Sequence, residues 1–145
     1  RMEVTKAPGG YTVINDAYNA NPESMRAALR ALAALGSGRR TWAVLGEMRE
    51  LGADAQAEHD EIGRLAVRLD VSRLVCVGPG TRVMHLAAAT EGSWNEESVH
   101  VDDADAAIAL LRAQLGPEDV VLVKASRGVG LERVAAALLD AEPVG

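Results

Sequence analysis

Short apolar runs alternate along the chain with longer segments that have helical periodicity. Four runs are apolar at almost every position, at residues 11–14, 42–45, 74–77 and 120–123. Such runs are typical of strands that are buried on both faces, as in a parallel sheet covered by helices. A shorter run at 99–101 and the opening stretch at 2–5 are candidates for further strands, the latter at an edge of the sheet.

The segments between the runs predict helices with recognisable ends. In the first, Asn21 is a candidate cap and Pro22 suits the first helical position, while Gly36 is a stop signal. Its predicted buried face consists of Met25, Ala28, Leu29, Leu32 and Leu35. Further helices are predicted at about 54–69, at 82–89, from 102 or 103 to the Gly-Pro pair at 116–117, and at about 131–138.

Strands that alternate with helices predict right-handed crossovers and a mostly parallel sheet with helices on both faces. Ligands of such sheets bind outside the carboxyl ends of the strands. Four polar or glycine-rich segments directly follow the long apolar runs, at residues 16–22, 46–48, 78–80 and 124–130. We therefore expect these four segments to converge on one edge of the sheet.

Composition narrows the class of protein. The 145 residues match one domain, and the hydrophobic share of 48% and charged share of 25% are ordinary for a globular protein. The net charge of -6 argues against binding to a nucleic-acid backbone. No run approaches the ~18 apolar residues of a membrane span. The single cysteine, Cys76, rules out an internal disulfide and favours the cytoplasm as the default compartment.

The segment at 16–22 offers groups that suit a nucleotide. A carboxylate at a strand end, such as Asp16, can accept hydrogen bonds from ribose hydroxyls. Tyr18 and the side-chain amides of Asn19 and Asn21 can lie against a base and reach its polar edge. Asp and Asn also favour turns and helix caps for purely structural reasons. Both interpretations stay open at this point.

The segment after the last long run has the composition of an anion site. Lys124, Ser126 and Arg127 combine an ammonium, a hydroxyl and a guanidinium beside a predicted helix start. A solvated basic turn is the structural alternative. Because positive charge is scarce in this acidic chain, we favour the binding role.

The remaining motifs are weaker. The glycines at 78–80 do not complete a dinucleotide fingerprint, and Arg82 beyond them could meet an anion or simply be solvated. Glu47 and His59 are candidates for acid–base chemistry, and the histidine more often packs or is solvated. His85 and His100 have no ligand-spaced partners, so we expect no metal site built from protein ligands alone. No phosphate-binding G-x-x-x-x-G-K-[ST] loop is present, so a chain that handles ATP would have to borrow one.

Three segments together resemble the C-terminal domain of the Mur ligase family. They are Asp-Ala-Tyr-Asn-Ala-Asn-Pro at 16–22, Leu-Gly-Glu-Met at 45–48 with Glu-Leu-Gly at 50–52, and Val-Lys-Ala-Ser-Arg at 123–127. The Tyr-Asn-Ala-Asn-Pro block resembles the corresponding segment in the branch of the family that adds D-alanyl-D-alanine. Ala125 departs from the family, which usually has glycine there.

The resemblance implies a Rossmann-like, three-layer αβα fold with a mostly parallel sheet of about six strands. It implies that residues 1–145 are one domain, the third of a ligase whose UDP-substrate domain and central ATPase domain lie outside this chain. The central domain of such ligases carries the phosphate loop and most of the Mg²⁺ site. This domain would pack on it, close over ATP and be inactive alone.

The implied reaction is ATP-dependent amide formation in peptidoglycan precursor synthesis, and hence in cell-wall biogenesis, cell shape and division. UDP-N-acetylmuramoyl-tripeptide would be activated as an acyl phosphate and then attacked by the amine of D-alanyl-D-alanine. Two alternatives stay open. One is the matching domain of a folate-polyglutamating ligase, and the other is a free-standing nucleotide-binding or regulatory module.

The resemblance also implies roles for individual residues, none of them catalytic within this domain alone. Arg1 would reach the ATP phosphates on closure, and Asp16 would hold the ribose. The block beside the adenine would be Tyr18, Asn19 and Asn21. The loop near the incoming amino component would be Lys124, Ser126 and Arg127, with Arg82 near a segment that helps to select that component in a sister ligase.

Overall fold

The computed structural model describes residues 2–92 and 97–140. Within them the chain forms a single sheet, five helices and two short 3₁₀ turns. The strands are Glu3–Lys6 (β1), Thr12–Asp16 (β2), Thr41–Leu45 (β3), Arg73–Val77 (β4), Ser98–Val101 (β5) and Val120–Lys124 (β6). The helices are Pro22–Leu35 (α1), Ala55–Arg68 (α2), Arg82–Glu91 (α3), Ala104–Gln114 (α4) and Glu132–Leu139 (α5). None of them is long and apolar enough to cross a membrane.

The sheet has six strands in the order β1-β2-β6-β3-β4-β5. Only β1 runs antiparallel to its neighbour, and the other four pairings are parallel. In the register of the central strands, Lys124 pairs with Asp16 on one side and with Leu45 on the other. The carboxyl ends of β2, β6 and β3 therefore lie side by side, and the predicted three-layer α/β architecture is confirmed.

Two hydrophobic cores cover the two faces of the sheet. Residues of α1, α2 and α3 pack on one face, where Leu29, Ile62 and Met84 are fully buried. Residues of α4 and α5 pack on the other, as shown by Leu111 and Val134. Since the central strands send alternate side chains into each core, every position of β3 and β6 is buried. This explains the continuous apolar runs in the sequence.

Most predicted element boundaries agree with the structure to within two residues, and two differences are informative. Leu35, which we predicted on the buried face of α1, is half exposed. It is the last residue of α1, which is capped by Gly36. The helix predicted to end at the Gly-Pro pair ends instead at Gln114, because Leu115 is already extended.

Helices α2 and α3 approach each other closely at Gly63. A Cβ atom added at this position would lie 2.2 Å from the carbonyl oxygen of Met84. No backbone shift of a few tenths of an ångström would relieve such a clash, so the contact requires glycine. The close contact packs α2 directly against the backbone of α3.

Candidate functional site

The carboxyl ends of β2 and β6 are joined by a buried ion pair. The Lys124 ammonium lies 2.6 Å from Oδ2 of Asp16, and both side chains are at least nine-tenths buried. The same ammonium donates to the backbone carbonyl of Asn19 at 2.9 Å. The Lys124 ammonium is thus bound by the end of β2 and by the segment that follows it. A direct contact between Lys124 and a substrate stays a prediction.

Ser126 ties together the loops that follow β2, β3 and β6. Its hydroxyl donates to the carbonyl of Ala20 at 3.2 Å and accepts from the N–H of Arg49 at 2.8 Å. Its own N–H donates to the carbonyl of Glu47 at 3.1 Å. This side chain is buried, and its hydroxyl already donates one hydrogen bond and accepts another. Ser126 therefore holds the three loops together.

The asparagines of the first polar segment serve the local backbone, while the tyrosine faces outward. Oδ1 of Asn21 accepts from the N–H of Ser24 at 2.8 Å, and Oγ of Ser24 accepts from the N–H of Asn21 at 3.0 Å. Oδ1 of Asn19 accepts from the N–H of Ala20 at 2.9 Å. The cap role of Asn21 is therefore confirmed. Tyr18 is 50% exposed, so its ring is available for contact.

Two clefts open where these segments meet. The first, which we call the Asp16 cleft, has a volume of about 270 Å³ and is lined by Met2, Asp16, Asn19, Asn21, Ser24 and Lys124. The second, the arginine cleft, has a volume of about 200 Å³ and is lined by Asn19, Ala20, Arg49, Glu50, Ser126 and Arg127. A carboxylate and amides suit the hydroxyls of a sugar, whereas two guanidiniums suit a carboxylate or phosphate.

The segment at 78–80 joins the same edge of the sheet through Glu47. A Cβ atom on Gly80 would lie 2.5 Å from the Glu47 side chain, so the two segments are in close contact. Glu47 and Arg49 border a third cleft of about 230 Å³ with this turn, the start of α4 and the loop before α5. The predicted convergence of the four segments is thus confirmed. We call this edge, formed by residues 16–22, 46–50, 78–80 and 124–130, the rim.

Arg82, one of the predicted site residues, stands apart from the Asp16 cleft and the arginine cleft. It begins α3 with an exposed side chain. Arg1 lies outside the described residues. The roles predicted for both residues stay predictions.

Sequence reasoning missed Arg49. Its guanidinium is half exposed, lines the arginine cleft and lies 3.8 Å from the carboxylate of Glu47. The residue comes one position after the strand-end segment at 46–48, so a wider window after each apolar run would have included it. A basic residue within a few positions of a strand end was the available signal.

A second group of polar side chains lies where α3 packs against β4 and β5. Nδ1 of His85 is 2.6 Å from the hydroxyl of Ser98, and the rings of His85 and His100 are 6.1 Å apart. Burial lowers the pKa of His85, and the neighbouring His100 and Arg82 lower it further. Burial raises the pKa of the Cys76 thiol to about 12, against a weaker opposing effect of Ser98. Cys76 is therefore an inert thiol.

These features define a class: an α/β domain with a mostly parallel sheet, whose strand ends form a polar rim suited to nucleotides and anions. The family model described as "Mur ligase, glutamate ligase domain" matches residues 1–127, so the chain belongs to the Mur ligase family. Among the described residues no group of three or more His, Cys, Asp and Glu side chains is placed to hold a metal ion.

Curated relatives place the chain within one branch of that family. It is 57% identical to the UDP-N-acetylmuramoyl-tripeptide–D-alanyl-D-alanine ligase of Mycobacterium tuberculosis H37Rv, in a match that covers 100% of this chain and 32% of that protein. It is 36% identical to the Treponema pallidum ligase of the same name, with 92% of this chain and 30% of that protein covered. The chain thus spans about a third of the length of the curated relatives that it matches.

Solved structures have the same fold. The MurF ligase from Thermotoga maritima in complex with ADP is 27% identical, with a TM-score of 0.75, and the match covers 94% of this chain and 29% of that one. A MurF structure from Acinetobacter baumannii is 29% identical, with a TM-score of 0.77, and covers 96% of this chain and 30% of that one.

Proposed function

We propose that this chain is the ATP-facing domain of a ligase that joins D-alanyl-D-alanine to UDP-N-acetylmuramoyl-tripeptide in peptidoglycan precursor synthesis. The observation that carries the proposal is the meeting, at one rim, of the Tyr-Asn-Ala-Asn-Pro segment and the Lys-Ala-Ser-Arg segment. The names of the curated relatives and the ADP complex of the Thermotoga maritima neighbour support it. In this proposal the chain packs on a central ATPase domain and works in the cytoplasm, where ATP is available.

The nucleotide is assigned to the Asp16 cleft. The carboxylate of Asp16 is held in place by Lys124 and would accept hydrogen bonds from the ribose hydroxyls. The exposed ring of Tyr18 would lie against the adenine, with Asn19 and Asn21 beside it. Arg1 would reach the phosphates when the domains close.

The dipeptide is assigned to the arginine cleft and its surroundings. Arg127 and Arg49 would hold the carboxylate of D-alanyl-D-alanine, because planar guanidiniums bind carboxylates through paired hydrogen bonds. Ser126 would keep the two loops that carry these arginines together, and Lys124 would act through Asp16. Arg82 would act only if closure brings it near the amino component.

The reaction has two steps. A carboxylate oxygen of the tripeptide attacks the γ-phosphorus of ATP, the bond to ADP breaks, and an acyl phosphate forms. The amine nitrogen of the dipeptide then attacks the acyl carbon, phosphate leaves and the nitrogen loses a proton. Mg²⁺, held by the central domain, would neutralise phosphate charge. The residues of this chain orient the amine and exclude water, which would otherwise hydrolyse the acyl phosphate.

The proposal is tested by ADP release from the full-length protein. We expect release only when UDP-N-acetylmuramoyl-tripeptide and D-alanyl-D-alanine are both present, and none from this chain alone. Turnover by the isolated chain would contradict the proposal. Turnover of the full-length protein with a folate substrate and glutamate would favour the folate-polyglutamating alternative.

The Tyr18 assignment has its own test. In the full-length protein, Tyr18→Ala should raise the KM for ATP roughly tenfold, since loss of stacking on a base costs about 1–3 kcal/mol. The matched control is Leu86→Ala, because Leu86 is an equally exposed apolar side chain, on α3. Equal KM values for ATP in the two variants would show that Tyr18 does not touch the base.

A further inference from the structure

His59 is buried beneath the loop that follows β3 and contacts it directly. The residue sits in the second turn of α2 and is only 3% exposed. The backbone N–H of Met48 donates to its Nε2 at 3.0 Å. Its Nδ1 lies 2.7 Å from the carbonyl oxygen of Ala55, one turn earlier in the helix. Both ring nitrogens are therefore committed to backbone groups.

These two contacts fix the protonation of the ring. Because an amide N–H can only donate, Nε2 must be the unprotonated nitrogen that accepts. Because a carbonyl oxygen can only accept, Nδ1 must carry the proton. His59 is thus the neutral Nδ1–H tautomer. Because both ring nitrogens are engaged by backbone groups, we assign His59 a structural role in place of the acid–base role that its sequence position suggested.

The hydrogen bond from Met48 to His59 anchors a short stretch of the rim to α2. The residues on either side of Met48 are anchored to Ser126, whose N–H donates to the carbonyl of Glu47 and whose hydroxyl accepts from the N–H of Arg49. The Met48 side chain is itself buried. Residues 47–49 are therefore fixed at three consecutive positions, and without His59 the middle one would have a buried donor with no acceptor.

We propose that His59 is a positioning residue, which as the Nδ1–H tautomer fixes the backbone of residues 47–49 and thereby sets Glu47 and Arg49 at the rim. Glu47 and Arg49 border the third cleft, and Arg49 also lines the arginine cleft. The effect on catalysis rests on the proposed function. The hydrogen-bond arrangement itself does not, and can be measured on this chain alone.

A matched pair of variants separates this role from simple packing. In His59→Gln the side-chain oxygen can replace Nε2 as the acceptor for Met48, whereas in His59→Asn the amide reaches only the position of Nδ1. Amide hydrogen exchange of the 145-residue chain is the readout. We expect Met48 exchange to be at least tenfold faster in the asparagine variant and within threefold of wild type in the glutamine variant. Amides in β4 and β6 should exchange alike in all three proteins.

Several results would overturn the proposal. One is unchanged Met48 exchange in the asparagine variant, and another is equally fast exchange in both variants. Should either variant fail to fold, the wild-type chain still decides: long-range ¹H–¹⁵N correlations must show a proton on Nδ1 of His59, and a proton on Nε2 would refute the assignment.

The catalytic consequence is read in the full-length protein. His59→Asn should raise the KM for the dipeptide at least fivefold, and His59→Gln should restore it to within twofold of wild type. If the wild-type full-length protein has no ligase activity, the proposed function is wrong, but the amide-exchange results for His59 remain valid. Altered exchange without any change in KM would confine His59 to the fold and overturn its positioning role.

Discussion

The pair formed by Asp16 and Lys124 dominates the chemistry of the rim at the level of single residues. Both side chains are buried, so the Lys124 ammonium depends on the Asp16 carboxylate for compensation. A carboxylate that is already paired keeps its position when sugar hydroxyls arrive, which reduces the ordering cost of binding. In the proposed nucleotide site, Lys124 thus contributes by holding the Asp16 carboxylate in place.

Removal of one member of this pair should be costly. We expect Asp16→Ala to lower the free energy of unfolding by about 3–5 kcal/mol, because it leaves the Lys124 ammonium buried and unpaired. The double variant with Lys124→Met should recover most of the loss, since the buried ammonium is removed together with its carboxylate. Urea unfolding of the chain measures both.

The control for this prediction is Glu61→Ala, which removes an exposed partner of Arg26 and should change stability little. A loss in Asp16→Ala as small as in this control would contradict the buried-pair argument. It follows that Asp16→Ala is a poor probe of ribose binding. Asp16→Asn, which keeps an oxygen acceptor, is the better one.

The sequence identified Asp16, Lys124 and Ser126 as rim residues from their places at strand ends. It did not reveal that the first two pair with each other. That contact joins positions 108 residues apart and depends on the register of β2 against β6, which sets both side chains on the same face. The pattern of apolar runs predicts which strands exist and leaves their register open.

At the level of elements, the start of α1 combines a structural role with the binding role that we propose. The capping box of Asn21 and Ser24 satisfies two backbone donors, and Pro22 occupies the first turn. The same asparagine lines the Asp16 cleft. Sequence analysis left these roles as alternatives, and the geometry allows both at once.

Two substitutions of Asn21 can separate the roles. Asn21→Ala should lower the free energy of unfolding by about 1 kcal/mol because the cap is lost. Asn21→Ser should retain that stability, since serine caps about as well. If Asn21 also contacts the nucleotide, the serine variant of the full-length protein will have a raised KM for ATP at unchanged stability.

A serine variant with a normal KM for ATP would limit Asn21 to the cap, and an alanine variant of unchanged stability would contradict the cap itself. Thermal or urea unfolding of the chain and steady-state kinetics of the full-length protein provide the two measurements.

The elements themselves were predictable because the sheet is covered on both faces. Continuous burial made β3 and β6 conspicuous, and caps such as Asn21 marked the helix starts. The fastening of residues 47–49 was not predictable, because a hydrogen bond from Met48 to His59 depends on how α2 packs behind the loop. The close contact between Gly63 and α3 could not be predicted from the sequence either, since it also depends on how the two helices pack.

At the level of the whole molecule, the two ends of the parallel strands have different roles. The carboxyl edge carries the rim, whereas the opposite edge is held by Asp119, just before β6. Its Oδ2 accepts from the Arg40 guanidinium, from Nε1 of Trp42 at 3.0 Å and from the N–H of Gly116 at 2.9 Å. One carboxylate therefore links the starts of β3 and β6 to the loop after α4.

This arrangement makes stability depend on pH. Burial by itself would raise the pKa of Asp119, but the hydrogen bonds from Arg40, Gly116 and Trp42 outweigh it and hold the pKa below its ordinary value. A lowered folded-state pKa means that the carboxylate contributes stability above the unfolded value of about 3.9, and that this stability is lost as the pH falls through the folded pKa.

We therefore expect Asp119→Asn to cost about 1–3 kcal/mol of unfolding free energy at pH 7, and this difference to shrink as the pH falls below about 4. Urea unfolding of both proteins across that range measures it, with Asp54→Asn at an exposed position as the control. A difference that stays constant with pH would mean that the ionised form is not what the network stabilises. In the full-length protein the KM for ATP should not change, since Asp119 lies at the edge opposite the rim.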